Sequence, residues 1–476
     1  MVAPCGIVSH RSRLSSNLLR RPWLLVPVTP IRIAAALLLL GSSLPSSASA
    51  ADGVRIEDAI RSAWRENPAL AAGAHQVAAA RADARAARDG HWPTLAVTGK
   101  GIGTNEPVGV FGIKLNQARI TVEDFNPATL NDPAAVTGIG LGAGVVVPIW
   151  MGGRILAGQH AAEAQADAEA SAQGRRREEM ALAVVQAYFG VQVAEQGVRY
   201  ADDVLEQARE TERFVGERNK KGLALDADVA RATAFRAQAE AERASVLQQL
   251  SSARSALAML TGIDVARSTL ATPVEPGPSL VPVPVATLEA GGPAAPPERQ
   301  DLVAARLRAQ AAESFVGVSK GTLLPSVFAM AGVDTLRSSW TQGATWWSAA
   351  LVVRWEFGAS SLGGMDAAEA RSAAAASAAR WQEVQATREV EEARQAVLTA
   401  AARVRAAREA VTASESARVL RQARYRQGLL PLSDVLDAES ALAGARTLLL
   451  RSLFETRIAR AQLELALGLP VEGVQS

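Results

Sequence analysis

A chain of 476 residues, 49% hydrophobic and 21% charged, could hold two or three ordinary domains. Its formal charge of +2 is misleading: the first fifty residues carry five Arg and no acid, leaving 45 basic against 48 acidic residues beyond them, which argues against a nucleic-acid binder. Cys5 is the only cysteine, so a disulfide within the chain is excluded.

In chain order, Arg11, Arg13, Arg20, Arg21 and Arg32 precede the apolar run Ile33 to Leu40, and Ala48-Ser49-Ala50 places small residues ahead of Ala51. This pattern reads as a cleaved secretory signal over residues 1–50, because the run is too short to span a bilayer. Cys5 would leave with it. No later segment reaches eighteen consecutive apolar residues, so no transmembrane helix is expected. A membrane crossing would then need strands closed into a barrel, since lipid cannot satisfy open backbone groups.

Residues 51–262 read as helix, strand, loop, strand, long helix, tight turn, helix. The first helix runs from about Val54 to Arg88 and ends at Asp89-Gly90, a turn signal. Strands are expected at about Thr94–Gly103 and Gly140–Trp150. In the long loop between them, Phe125-Asn126-Pro127 and Leu130-Asn131-Asp132-Pro133 predict defined turns. Gly152-Gly153 breaks the chain, and a helix follows from Arg154 to about Lys220, roughly 100 Å at 1.5 Å per residue. Gly222 ends it, and another helix spans Asp226 to Leu260 before Gly262. The Pro- and Gly-rich linker 263–297 has no helical period and is expected to run extended.

Residues 298–469 repeat the scheme. A helix is expected over Arg299–Lys320, strands over Pro325–Asp334 and Thr345–Phe357, and a break at Gly363-Gly364. The long helix then covers Met365–Gln427 and the last helix Leu432–Leu467, followed by a tail over 470–476. The halves match residue for residue at an offset of 206. Gly222, Leu223, Asp228, Val229 and Ala232 correspond to Gly428, Leu429, Asp434, Val435 and Ala438. Upstream, Val184, Ala187, Val191, Ala194, Val198, Ala201, Leu205 and Ala208 correspond to Val390, Ala393, Val397, Ala400, Val404, Ala407, Val411 and Ser414. An alanine-rich composition does not place valine at every seventh residue twice, so this is duplication of a supersecondary unit. The repeat of seven predicts closely packed, left-handed supercoiled helices.

The strands have the alternation of a barrel wall. Leu351, Val353, Trp355 and Phe357 alternate with Ala350, Val352, Arg354 and Glu356. Trp92, Trp150 and Trp355 fall where strands meet helices, and Trp340, Trp346 and Trp347 at the other end, which predicts aromatic girdles at both membrane interfaces. Four strands cannot close a barrel, so partner copies must complete it in a cyclic oligomer; three copies would give twelve strands, although the sequence does not fix the number.

On these residues the chain resembles the TolC-type outer-membrane efflux family, over about Val54 to Leu469. The most specific matches are the two Gly-Leu-x4-Asp-Val tips and the strand-to-helix breaks at Trp150-Met151-Gly152-Gly153 and Phe357-Gly358. The resemblance implies a mainly α fold with membrane β-strands: a homotrimer with a twelve-stranded barrel in outer-membrane lipid, continued by a long periplasmic α-barrel. It also implies a periplasmic adaptor and an inner-membrane pump, of resistance-nodulation-division or ABC type, as partners. Asp434 and Asp437 match the family's carboxylates at the periplasmic mouth; three residues apart on a helix they share a face, and a ring of them attracts cations. Tyr425 matches a tyrosine that bonds an aspartate of the other repeat, here Asp228. Leu430 stands where the best-known member has an arginine making a second link. Gly222, Leu223, Gly428 and Leu429 lie where adaptors dock, although glycine there also serves plain helix termination.

Enzymatic readings fare poorly. His75, His91 and His160 lack metal-ligand spacing, so neither metal nor cofactor is expected. Gly99-Lys100-Gly101-Ile102-Gly103 lacks the phosphate-loop pattern, and there is no serine elbow. The expected function is a passive exit duct for small molecules in tripartite efflux. The alternatives are the exit channel of type I protein secretion and, in another class, a pore-less periplasmic coiled coil, against which the strands and their Trp ends argue.

Overall fold

The computed structural model describes residues 53–264, 269–274, 298–339, 342–356 and 358–474. The expected signal sequence, Trp340, Phe357 and most of the linker 263–297 lie outside them. Each repeat contributes two strands and a helical hairpin. The first comprises α1 (Ile56–Glu66), α2 (Pro68–Arg88), β1 (Thr94–Thr104), α3 (Pro107–Asn116), α4 (Pro127–Asn131), β2 (Val136–Trp150), α5 (Arg154–Lys220) and α6 (Asp226–Thr261). The second comprises α7 (Gln300–Gly321), β3 (Ser326–Arg337), β4 (Gly343–Arg354), α8 (Ala359–Arg426) and α9 (Leu432–Ala466). Among the described residues no helix is long and apolar enough to cross a membrane.

Three local expectations need correction. The first helix is two: Pro68 brings no N–H and forces Asn67 to extended φ/ψ, and the Asn67 side chain caps α2 by accepting from Ala69 N at 2.9 Å. Gly363-Gly364 does not break the chain, because both glycines stay helical inside α8 amid strong helix formers. In the first repeat the corresponding break is genuine, with Gly152 and Gly153 at φ 62° and 81°. The loop between β1 and β2 is not only turns but holds α3 and α4.

The strands form one antiparallel sheet in the order β1-β2-β3-β4, so the repeats join at the β2–β3 pair. Each long helix serves two sets of partners. The strand-side half of α5 packs on α2 and α7, through contacts such as Gln173 Nε2 donating to Leu70 O and Arg308 pairing with Glu169. Its tip-side half packs on α6, with Arg236–Glu212 and Arg254–Glu195 ion pairs. In α8 the same division falls between α7, held by Arg306–Glu383, and α9, held by Arg403–Glu455. The heptad residues face these partners: Val184, Val191, Leu205 and Ala208 of α5 and Val390, Ala393, Ala400 and Ala407 of α8 are buried. Alanine at alternate seam positions allows close backbone approach.

The main core lies at mid-length of α5, where Val184, Val185, Tyr188 and Phe189 meet Ile56 and Ile60 of α1, Leu257 of α6 and Leu465 of α9. Each such fully buried apolar side chain stabilises the fold by about 1.5–3 kcal/mol. The described part of the linker straps across this waist. Leu270 forms a parallel bridge with Val54, and Tyr188 Oη donates to Val54 O at 2.7 Å while accepting from Thr272 N at 2.9 Å. Arg457, buried over the Phe189 ring at 4.7 Å, donates to Pro273 O and Val274 O. A second buried arginine, Arg299, grips Asp301 through two nitrogens and also reaches Glu389 of α8 and Ala466 O of α9. Tyr188→Phe would leave the Thr272 N–H without its partner and the Val54 carbonyl with only the Ala271 N–H, at 3.0 Å, as donor. It is expected to destabilise the waist by about 1–3 kcal/mol, read as a lowered midpoint in thermal unfolding followed by circular dichroism.

Candidate functional site

Two regions carry the residues singled out from the sequence: the sheet and the paired helix tips at the far end of the hairpins. Strand register divides the sheet into two unlike faces. One presents Leu95, Val97, Leu141, Val145, Ala329, Val333, Trp347, Leu351 and Val353. The other presents Thr98, Lys100, Asp334 and Ser348, with Gly138, Gly140, Gly142 and Gly144 along β2. These glycines make room for neighbours: a Cβ on Gly140 would meet Cε of Lys100 at 2.8 Å, and one on Gly142 would collide with the Asp334 carboxylate and the Thr98 hydroxyl. Side chains converge on the inner side of a curved sheet, and glycine relieves that crowding. The outer edges of β1 and β4 are unpaired among the described residues.

The aromatic residues sort by the same alternation. Trp347 lies on the apolar face, 77% exposed. Trp346, its neighbour, must lie on the opposite face, where it packs against Val110 and Ile113 of α3; it is therefore not a membrane-interface residue of the apolar girdle. At the helix-side end a bulge leaves Ile149 unopposed and brings Trp150 into register with Val327, on the apolar face. Trp92 and Trp355 are exposed beside the strand ends, and Trp355 Nε1 donates to Leu323 O at 3.1 Å.

At the tips the two copies use one device. Gly222 at φ 68° ends α5, with Gly222 N donating to Asn219 O and Leu223 N to Arg218 O. Gly428 at φ 77° ends α8, with Gly428 N donating to Tyr425 O and Leu429 N to Arg424 O. Both are Schellman closures, in which left-handed glycine turns the chain and satisfies the last carbonyls. They leave Leu223 and Leu429 projecting, 63% and 67% exposed. The tips meet over a small apolar cluster of Val215, Ala232 and Leu432, edged by Val229, Tyr425 and Leu436.

Asp434 is half-buried in the first turn of α9 and Asp437, one turn on, is exposed. Neither carboxylate pairs with any group among the described residues. The copies diverge here: Asp434 corresponds to Asp228 at the 206-residue offset, but Asp437 corresponds to Arg231. Tyr425 and Asp228 are neighbours, yet no hydrogen bond joins them among the described residues. The tyrosine ring instead meets Phe214 edge-on at 6.0 Å, beneath Arg218, whose guanidinium is 5.8 Å from its centre. Burial pushes the phenol pKa up, Arg218 opposes this, and the Asp228 charge reinforces it.

A polar cluster above the tips was not legible in the sequence. Arg418 of α8 lies 3.6 Å from the buried Glu439 of α9 and donates to Gln207 of α5. Arg446 of α9 pairs with Glu415 of α8 and Asp203 of α5 and covers the Tyr200 ring at 5.2 Å. These contacts tie the two hairpins together. Among the described residues no group of His, Cys, Asp and Glu side chains could hold a metal ion.

A sequence profile described as outer membrane efflux protein matches residues 59–263 and 294–469. The fold is similar to the Campylobacter jejuni CmeC outer membrane channel, with TM-score 0.74 and 14% identity over 88% of this chain and 86% of that one. It is similar to the outer membrane protein VceC of Vibrio cholerae, with TM-score 0.69 and 22% identity over 87% and 96%. The open state of the Neisseria gonorrhoeae MtrE outer membrane channel gives 0.67 and 20% over 89% and 91%. Comparison with curated proteins gives no match.

The Glu439 cluster has a pH signature. Burial raises the Glu439 carboxyl pKa, with Arg418 and Arg446 opposing. A carboxyl raised in the folded state favours folding fully below its unfolded value, and that contribution fades as pH rises through the folded value. Glu439→Gln should therefore flatten the fall in thermal midpoint as pH rises above the ordinary carboxyl value of about 4.5. An unchanged slope in circular-dichroism melts would place the proton elsewhere.

Proposed function

The chain belongs to the outer membrane efflux protein family, and on that premise we propose that it is the passive exit duct of a tripartite efflux system. The reading rests chiefly on the two-faced sheet with its unpaired edges, joined directly to helices of about 100 Å. The family consists of transport proteins and not enzymes. Three copies would bring twelve strands into one closed barrel, with the apolar face toward outer-membrane lipid and the Lys100–Asp334 face toward the pore. Trp347 would then lie at the outer interface, and Trp92, Trp150 and Trp355 at the inner one.

The helices would wall a tube through the periplasm. Leu223 and Leu429, projecting at the glycine closures, are suited to receive an apolar adaptor surface, and the adaptor would connect the duct to an inner-membrane pump. Asp434 and Asp437 would line the mouth with Asp228, and Arg231 would temper their field. The latch between repeats would rest on the stacking of Tyr425 with Phe214 and Arg218, with Asp228 acting through its charge.

Two measurements in planar bilayers test this mouth. Changing both Asp434→Asn and Asp437→Asn should lower the preference for cations over anions; retained wild-type selectivity would return these residues to an ordinary acidic first helical turn. Tyr425→Ala, which removes the ring, should raise resting conductance well above Tyr425→Phe, which keeps it. Equal conductances would mean that the ring does not hold the mouth. A preparation that forms no channel in any variant would defeat the duct reading itself.

A further inference from the structure

The β1–β2 loop is folded, and its place on the sheet is specific. Within it Lys114 Nζ meets Asp124 Oδ1 at 2.6 Å, Phe111 and Phe125 meet edge-on at 5.7 Å, and Thr121 and Asp124 close a capping box. Lys114 and the Thr121 backbone hold the Asp124 carboxyl below its usual range. The loop leaves the sheet at the end remote from the long helices, yet it turns back on itself. Val110 and Ile113 of α3 are buried against Ile102, Val136, Leu336 and Trp346.

Strand register places all four of those partners on the face that carries Lys100, Asp334 and Ser348. None belongs to the apolar face. The seat also has a polar lock. Gln117, 1% exposed, donates from Nε2 to Thr137 O at 2.9 Å and occupies the space over Gly138, where a Cβ would stand 2.6 Å from that nitrogen. The corresponding connection in the second repeat, between Arg337 and Gly343, is only five residues long.

From this seating we infer that α3 and its flanking turns form an inward collar at the outer end of the barrel, which sets the largest solute able to pass that mouth. The inference rests on the duct reading. Three helices, each about 10 Å thick with side chains, would stand inside one ring of strands and narrow it. The collar is a size filter in series with the mouth at the helix tips, at the opposite end of the pore. On the face of α3 turned away from the sheet, Val108 and Leu115 project, so the helix itself narrows the opening with apolar side chains.

The test places a single thiol behind the collar. Ser348→Cys in a Cys5→Ser background gives one cysteine on the pore-side face. Intact cells are then treated from outside with a small charged maleimide and with the same group on a bulky polymer. With the collar seated, the small reagent should label the introduced thiol and the polymer should not. Val110→Asp with Ile113→Asp, which unseats α3 without shortening the chain, should admit the polymer, with trimer formation checked on gels. Replacing residues 107–131 by a short turn is the second route to the same result. Polymer labelling with the collar seated overturns the collar and leaves the duct standing. Failure of even the small reagent in all variants overturns both, because the face would not open outward.

Discussion

Backbone groups along the outer edges of β1 and β4 have no partner within the described chain, and a membrane offers them none. Desolvating such groups in hydrocarbon costs several kcal/mol each, so an isolated four-stranded sheet is not a stable object in lipid. In the proposed duct, the rest of the architecture follows from closing those edges. Closure would curve the sheet and crowd its inner face, and the glycines of β2 are where Lys100, Asp334 and Gln117 find space. The apolar outer face is the other half of the same requirement. Because the repeats meet at β2–β3, the duplicated halves are already joined in the way that neighbouring copies would be joined at the edges of the proposed barrel.

Much of this was legible because it is periodic. The heptad seam, the 206-residue offset and the glycine closures at the tips all leave regular traces, and the structure places them as those traces suggest. The misses are local and physical. Pro68 divides a helix that composition alone would continue, whereas Gly363-Gly364 fails to divide one because its neighbours favour helix strongly. The Trp346–Trp347 pair could have been separated from the start, since adjacent strand residues face opposite ways. Trp150 could not have been, because its face depends on a bulge that only strand pairing reveals.

The least legible features are the buried charges. Arg299 and Arg457 look like ordinary surface residues of helical segments, yet both are almost fully enclosed. Apart from Asp301, two residues from Arg299, their partners are backbone carbonyls and a carboxylate distant in sequence, which carry no periodic signal. The same holds for Glu439 and Arg446 above the tips. At the tips, the resemblance implied a Tyr425–Asp228 bond, whereas the ring meets Phe214 edge-on and lies beneath Arg218, both contributed by α5 one turn apart. That shifts the interaction from a single directional bond toward shape and dispersion.

The strapped waist also has a mechanical meaning. The described part of the linker, α1, α6 and the ends of α9 and of the described chain all converge on the middle of α5, while beyond it the two hairpins meet through small clusters and ion pairs. Such a layout makes the waist a fulcrum and the hairpins its arms. From Val191 to Lys220 the arm of α5 is about 45 Å at 1.5 Å per residue. A tilt of about 5° at the fulcrum then moves the tip by roughly 4 Å, without disturbing a strand. Amplified in this way, rearrangements too small to loosen the core would be large enough to open or shut the proposed mouth.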